Sequence, residues 1–165
     1  MGTLLFPDLL GRKSKYIGRL QIDGYIQSDD YSCGYAAAVT ILDFFGLTGN
    51  RKELWKDLEP CSEMGITTSS LLRAARARGL IMTRQPVHVK VLKAAFDQGY
   101  PVLACAPLPH QPADESHWQV AADINKNNEV LMLNQPSFSH PRKWLPIKEL
   151  RRTSDEDACW VARPR

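Results

Sequence analysis

The chain has 165 residues, 44% hydrophobic and 24% charged, with a formal net charge of +3. That length suits a single domain, residues 1–165, with a sizeable core, and so small a net charge argues against a nucleic-acid partner. No window holds the roughly 18 or more apolar residues of a membrane-spanning helix. The opening stretch MGTLLFPDLLGRK lacks a positive segment ahead of its apolar residues, and Pro7 and Asp8 interrupt it, so it does not read as a signal peptide. The cysteines Cys33, Cys61, Cys105 and Cys159 form no C-x-x-C pair. Zinc-ligand spacing and a secreted disulfide framework are both unsupported, and reduced thiols in a cytoplasmic protein without metal or cofactor are expected.

In chain order, residues 1–26 predict irregular structure with at most a short strand, and residues 1–20 form a possible N-terminal arm. Residues 33–45 predict a helix, with Ser32 as N-cap and Gly46 just past its end. Only Thr40 and Asp43 are clearly polar within it, so the helix is expected to be buried on nearly all sides. Residues 51–58 predict a short helix capped by Asn50, and residues 68–78 another that stops at Gly79. Residues 80–83 suit a strand, and residues 87–98 a third amphipathic helix ended by Gly99. Arg73, Arg76, Arg78 and Arg84 read as a solvated helix face, since no aromatic residues interleave with them.

The pattern then changes. PVLACA (101–106) suits a buried strand, and the segment at 107–116 is a proline-rich loop. Residues 117–124 and 129–133 read as two strands of a hairpin joined by Asn125-Lys-Asn-Asn. Residues 148–151 suit one helical turn, and CWVA (159–162) a last strand. Helices followed by antiparallel strands make an α+β fold.

Cys33 stands where a polar, turn-like segment becomes an apolar helix. Free cysteine usually acts as a small buried hydrophobe, and Cys61, Cys105 and Cys159 read that way. A sulfur at the first helical residue, however, meets unpaired backbone N–H groups and the positive end of the helix dipole, which favour a thiolate. Gly34 leaves room beside it. Gln27, six residues upstream, could point its amide at an oxygen bound beside the sulfur and complete an oxyanion hole with the Cys33 N–H.

His117 is the candidate base, because it alone among the histidines opens a predicted strand. It shares a face with Gln119, Ala121 and Asp123, while Trp118, Val120, Ala122 and Ile124 take the face turned to the core. If residues 125–128 are the connection, Ile124 opposes Glu129 and Gln119 opposes Asn134. Asn134 is then the diagonal neighbour of His117, about 7–8 Å away between backbones. An odd connection would put the two on opposite faces.

Gln27, Cys33-Gly34-x-Ala36 opening a helix, Ser116-His117-Trp118-x-Val120, and Asn134 ahead of Pro136 together resemble the papain-like cysteine peptidases. Within them the pattern is most similar to the double-glycine (bacteriocin) leader peptidases of bacteria. The resemblance spans roughly residues 20–138. It implies a papain-like fold in which Cys33 attacks a carbonyl, His117 acts as base and then acid, Asn134 orients His117, and Gln27 holds the oxyanion. Gly34, Ser116 and Trp118 become candidates for the substrate cleft, and a peptide or protein the expected substrate. Ser32 stands where those peptidases usually carry an acidic residue, and Gln135 where they carry the Asp before Pro. An amidase, deamidase or acyltransferase on the same scaffold is the alternative reading, and a non-catalytic peptide-binding module a second.

Overall fold

Lys13–Ile17 (β1) and Gln21–Tyr25 (β2) pair as an antiparallel hairpin, Lys13 facing Tyr25 and Ile17 facing Gln21. The computed structural model describes residues 13–26, 33–61, 65–107, 116–135, 142–153 and 158–165. Residues 13–20, read from the sequence as part of an arm, therefore run through β1 and the turn into β2. Tyr16 donates to Asp123 at 2.5 Å, and Arg19 pairs with Asp97 and Asp123, tying this hairpin to the body.

Cys33–Phe44 (α1) is a helix whose first ten residues are all buried. It ends where Gly46 adopts φ +70°. The Leu47 N–H then reaches back to the Leu42 carbonyl at 2.8 Å, closing the last turn with a left-handed residue that glycine tolerates without a Cβ clash. Arg51–Asp57 (α2) starts as expected, with the Asn50 side chain accepting the Glu53 N–H at 3.1 Å. Thr68–Ala77 (α3) is capped by Thr67. Val89–Asp97 (α4) begins later than the periodicity suggests. His88, expected within that helix, is instead its N-cap and accepts the Lys90 N–H.

Six strands make one antiparallel sheet: Leu80–Pro86 (β3), Val102–Pro107 (β4), Ser116–Ile124 (β5), Glu129–Met132 (β6), Lys143–Pro146 (β7) and Ala158–Pro164 (β8). Their order across the sheet is β3-β8-β4-β5-β6-β7. Ile147–Thr153 (α5) precedes the last strand. Two features depart from the sequence reading. The strand β7 was not anticipated; it is a short, mostly exposed edge strand that ends in proline and shows no alternation. β8 does not merely close the sheet but inserts between β3 and β4, with Cys159 and Ala162 fully buried.

α1 packs on β2 and β5, α3 on β3, α4 on β5, and α5 on β4 and β7. Both faces of β5 are consequently covered. Gln119, Ala121 and Asp123 are buried along with Trp118, Val120, Ala122 and Ile124. The expectation that only one face of β5 meets the core is corrected by this.

The β5–β6 register holds a second correction. Ile124 faces Val130 rather than Glu129, so the hairpin connection is odd. A β-bulge between Ala121 and Asp123 then shifts the pairing by one, and Ala121 faces Met132. Beyond it, Leu133 N–H donates to the Val120 carbonyl at 2.8 Å. The extra residue restores the register in which Gln119 stands level with Asn134. It also turns Asp123 away from the face of Ala121, toward the hairpin side chains Tyr16 and Arg19.

Candidate active site

Cys33 is the first residue of α1, a cysteine in no disulfide, with 8% of its surface exposed. The first turn carries no acidic side chain to offset the positive end of the helix dipole. Gln27 and Ser32 lie outside the described residues.

Gly34 does not leave the room the sequence suggests. A Cβ built on it would lie 2.9 Å from the Cβ of Ile66. The missing side chain is instead filled by Ile66, which is buried. Ile66 is held in turn by the other half of the molecule, because the Trp118 indole N–H donates to its carbonyl at 2.9 Å. Trp118 is itself buried and meets Trp160 edge-on at 5.9 Å. Its ring is thus part of the packing under the site. One residue, Ile66, touches the residue after Cys33 through its side chain and the residue after His117 through its backbone carbonyl.

His117 is the second residue of β5 and pairs with Ala106 on β4. It is half-buried, with Nδ1 enclosed. Ser116 opens the same strand opposite Pro107. The proline-rich loop ahead of it lies outside the described residues over 108–115.

Asn134 sits at φ +63°, where the strand ends, and is 2% exposed. Its Oδ1 accepts the Val120 N–H at 3.2 Å. Its Nδ2 donates to the Tyr25 carbonyl at 2.6 Å and to Thr40 Oγ1 at 2.8 Å. Both amide hydrogens are thereby used, leaving one lone pair on Oδ1. Among the described residues His117 is not one of its hydrogen-bond partners. The next residue, Gln135, is also buried and donates through Nε2 to Gln119 Oε1. Gln119 stands two residues along β5 from His117.

Ile66 and the Gln119–Gln135 pair were not singled out from the sequence. Thr40 and Asp43 carried a readable signal, as the only polar residues in an otherwise apolar helix. Thr40 joins the Asn134 network, and Asp43 accepts from Tyr25 and Thr48 and pairs with Arg51 at 3.4 Å.

The other three cysteines are likewise in no disulfide. Cys159 is fully buried, and burial pushes its thiol up to about 12. Cys105 faces Trp118 across the sheet, and Cys61 bridges to Gly65. Among the described residues no group of three or more His, Cys, Asp or Glu side chains converges as a metal site. No helix among them is long and apolar enough to cross a membrane.

A thiol opening a buried helix, packed on an antiparallel sheet, is the layout of the papain-like cysteine peptidases, and solved structures share it. The peptidase domain of Streptococcus ComA, a bifunctional ABC transporter of a quorum-sensing pathway, superposes with a TM-score of 0.67 at 16% identity, over 85% of this chain and 96% of that one. A double glycine motif protease from an AMS/PCAT transporter, solved with the leader peptide, gives 0.65 at 19% identity, over 93% and 99%. The Streptococcus mutans ComA peptidase domain gives 0.56 at 14%, over 84% and 97%. Among curated proteins none matches. Residues 23–155 match the Peptidase C39 family, and the chain belongs to that family of cysteine peptidases.

Proposed function

We propose that this peptidase cleaves a peptide bond through Cys33, His117 and an amide, with a thioester acyl-enzyme between two half-reactions. Paired with the His117 imidazolium, the Cys33 thiolate attacks the scissile carbonyl carbon. The carbonyl electrons move to oxygen, and the resulting oxyanion is held by the Cys33 N–H and the Gln27 amide. Collapse breaks the C–N bond, and His117 gives its proton to the leaving amine. His117 then takes a proton from water, whose oxygen attacks the thioester. The C–S bond breaks and expels the Cys33 thiolate beside the His117 imidazolium, which restores the pair. The acid product loses its proton to solvent and leaves as a carboxylate.

The observation that carries this reading is the start of α1. It holds a thiol at the N–H end of a buried helix, and Ile66 packs against the next residue while bonded to the strand that begins beside His117. For the orienting amide, Asn134 retains one lone pair on Oδ1. Gln135 is a second candidate, favoured by its bond to Gln119 on the same strand as His117. Gly34 and Trp118, next to Cys33 and His117 in sequence, are taken up by the packing around Ile66, which leaves Ser116 as the candidate for the substrate cleft. The substrate is a peptide, and a leader ending in two glycines is the first to try, given the neighbour solved with a leader peptide. Four cysteines that form no disulfide suit a reducing, cytoplasmic setting.

Alkylation by iodoacetamide at pH 6 tests the reading. Cys33 should label far faster than Cys61, Cys105 and Cys159, and equal slow labelling of all four would remove it. Selective labelling followed by trapping with Cys33→Ala, read by mass spectrometry, identifies the bond. A mass gain on the substrate without chain cleavage would replace peptidase by deamidase.

A further inference from the structure

Ile66 lies where the two halves of the proposed site meet, and it is anchored on both sides. Just ahead of it, Cys61 and Gly65 exchange backbone hydrogen bonds of 2.8 and 2.7 Å, with Gly65 at φ +67°. Just after it, Thr67 caps α3 by accepting the Ser70 N–H. A residue so held cannot slide along the chain. Its side chain fills the space over Gly34, with Cβ, Cδ1 and Cγ2 at 2.9, 3.1 and 3.2 Å from where a Cβ would stand. Its carbonyl takes the Trp118 indole N–H.

We propose that Ile66 is a positioning residue for the cysteine–histidine pair, a spacer that sets the first turn of α1 against the start of β5. This rests on the reading of Cys33 and His117 as that pair. Proton sharing between a thiol and an imidazole requires hydrogen-bond reach, and an ångström of drift is enough to weaken it. The tight fit over Gly34 resists approach of the helix end, while the Trp118–Ile66 bond keeps the spacer itself seated against β5. Close packing gives this spacer its stiffness, since interiors of this density deform little.

The test is the pH dependence of Cys33 alkylation in the full chain, with steady-state kinetics on whatever peptide is cleaved. The wild type is compared with Ile66→Ala, Ile66→Val, Trp118→Phe and His117→Ala. Ile66→Ala should slow alkylation at pH 6 about tenfold or more and move its midpoint upward, toward that of a free thiol. kcat should fall with KM changed less than about twofold, because the defect lies in the pair rather than in substrate contact. Ile66→Val, which keeps the branch at Cβ, should restore most of the wild-type profile. Trp118→Phe removes the indole donor together with part of the ring's packing volume, and should shift the profile in the same direction as Ile66→Ala.

A folded Ile66→Ala protein with a wild-type pH profile would overturn the proposal while leaving the Cys33–His117 reading standing. If Ile66→Ala does not fold, Trp118→Phe decides, and an unshifted profile there overturns it equally. If wild type and His117→Ala alkylate alike, the pair itself is wrong and the spacer falls with it.

Discussion

The Asn134 carboxamide donates to the Thr40 hydroxyl across 2.8 Å, and that hydroxyl also accepts the Tyr25 N–H at 3.1 Å and donates to the Ala36 carbonyl at 2.8 Å. With the Asn134 bond to the Tyr25 carbonyl, both backbone polar groups of Tyr25 are satisfied by side chains. Three segments far apart in sequence thus meet at one threonine: the end of β2, the middle of α1 and the turn after β6. Thr40 lies two helical turns beyond Cys33, about 10 Å along the axis. Tyr25 is two residues ahead of Gln27 in the sequence.

Thr40→Val keeps the branched shape but leaves the buried Tyr25 N–H and one hydrogen of the Asn134 amide without their acceptor. We expect a loss of roughly 3 kcal/mol, at ~1–3 kcal/mol for each stranded buried group. Asn134→Ala strands two backbone groups, the Val120 N–H and the Tyr25 carbonyl, and should cost a similar amount, ~3 kcal/mol. Urea melts of the two variants and of their double mutant give the coupling, and additive losses would mean that the two side chains act independently.

Asn134 and Gln135 are separable as orienters of His117. Loss of the amide that holds the imidazole should lower kcat by about 10²-fold or more and distort its pH profile. If Gln135→Ala does this while Asn134→Ala lowers stability with its remaining activity intact, Gln135 is the orienter. The opposite pattern assigns the role to Asn134.

Gln27→Ala should lower kcat by about 10²–10³, the range for one oxyanion donor, with little change in KM. Cys33→Ala should abolish turnover yet still bind peptide, because the covalent step has no substitute. Single-turnover kinetics on the cleaved peptide measure both. A Gln27→Ala enzyme of wild-type kcat would remove Gln27 from the mechanism.

Asp123→Ala should loosen the β1–β2 hairpin. Asp123 accepts from Tyr16 at 2.5 Å and from the Ile124 N–H at 2.8 Å, and pairs with Arg19 at 3.2 Å. We expect ~1–3 kcal/mol of destabilisation and faster trypsin cleavage after Lys15 and Arg19. Unchanged cleavage rates would show that the hairpin is held by its apolar contacts instead.

Alkaline pH should weaken the fold. Burial, with hydrogen bonds to Asp123 and Asp43, pushes the Tyr16 and Tyr25 phenols up from 10.0 to about 12. Burial alone pushes the Cys159 thiol from 9.0 to about 12. In each case folding favours the neutral form. The tyrosine contribution is full below pH 10 and lost as pH climbs toward 12; that of Cys159 begins to fall near pH 9. Urea midpoints from pH 8 to 11.5, followed by tyrosinate absorbance, should decline over this window. Cys159 should react with a thiol reagent at pH 8 only after unfolding.

Several elements were legible before any coordinates, and each rests on signals a few residues apart. The Asn50 cap, the Gly46 and Gly79 stops and the unbroken apolar run of α1 act through hydrogen bonds and packing within about one turn. The order Gln27, Cys33, His117, Asn134 led to the cysteine peptidases by another route, since each residue type carries its own chemistry. Sequence could not reveal that Ile66 fills the space over Gly34, for nothing local links residues 34, 66 and 118.

The β5–β6 hairpin shows where local reasoning ends. An even connection was expected and an odd one occurs, yet the bulge at Ala122 returns Gln119 to the level of Asn134. What supports that bulge is Asp123 turned toward Tyr16 and Arg19, more than a hundred residues upstream. The seating of β8 between β3 and β4 is likewise a matter of which apolar faces find each other. The amino-acid order by itself determined the helices, their ends and the kinds of reactive group present. Strand order, register and the neighbours of each reactive group were decided by tertiary packing, because those energies depend on partners that adjacency along the chain does not specify.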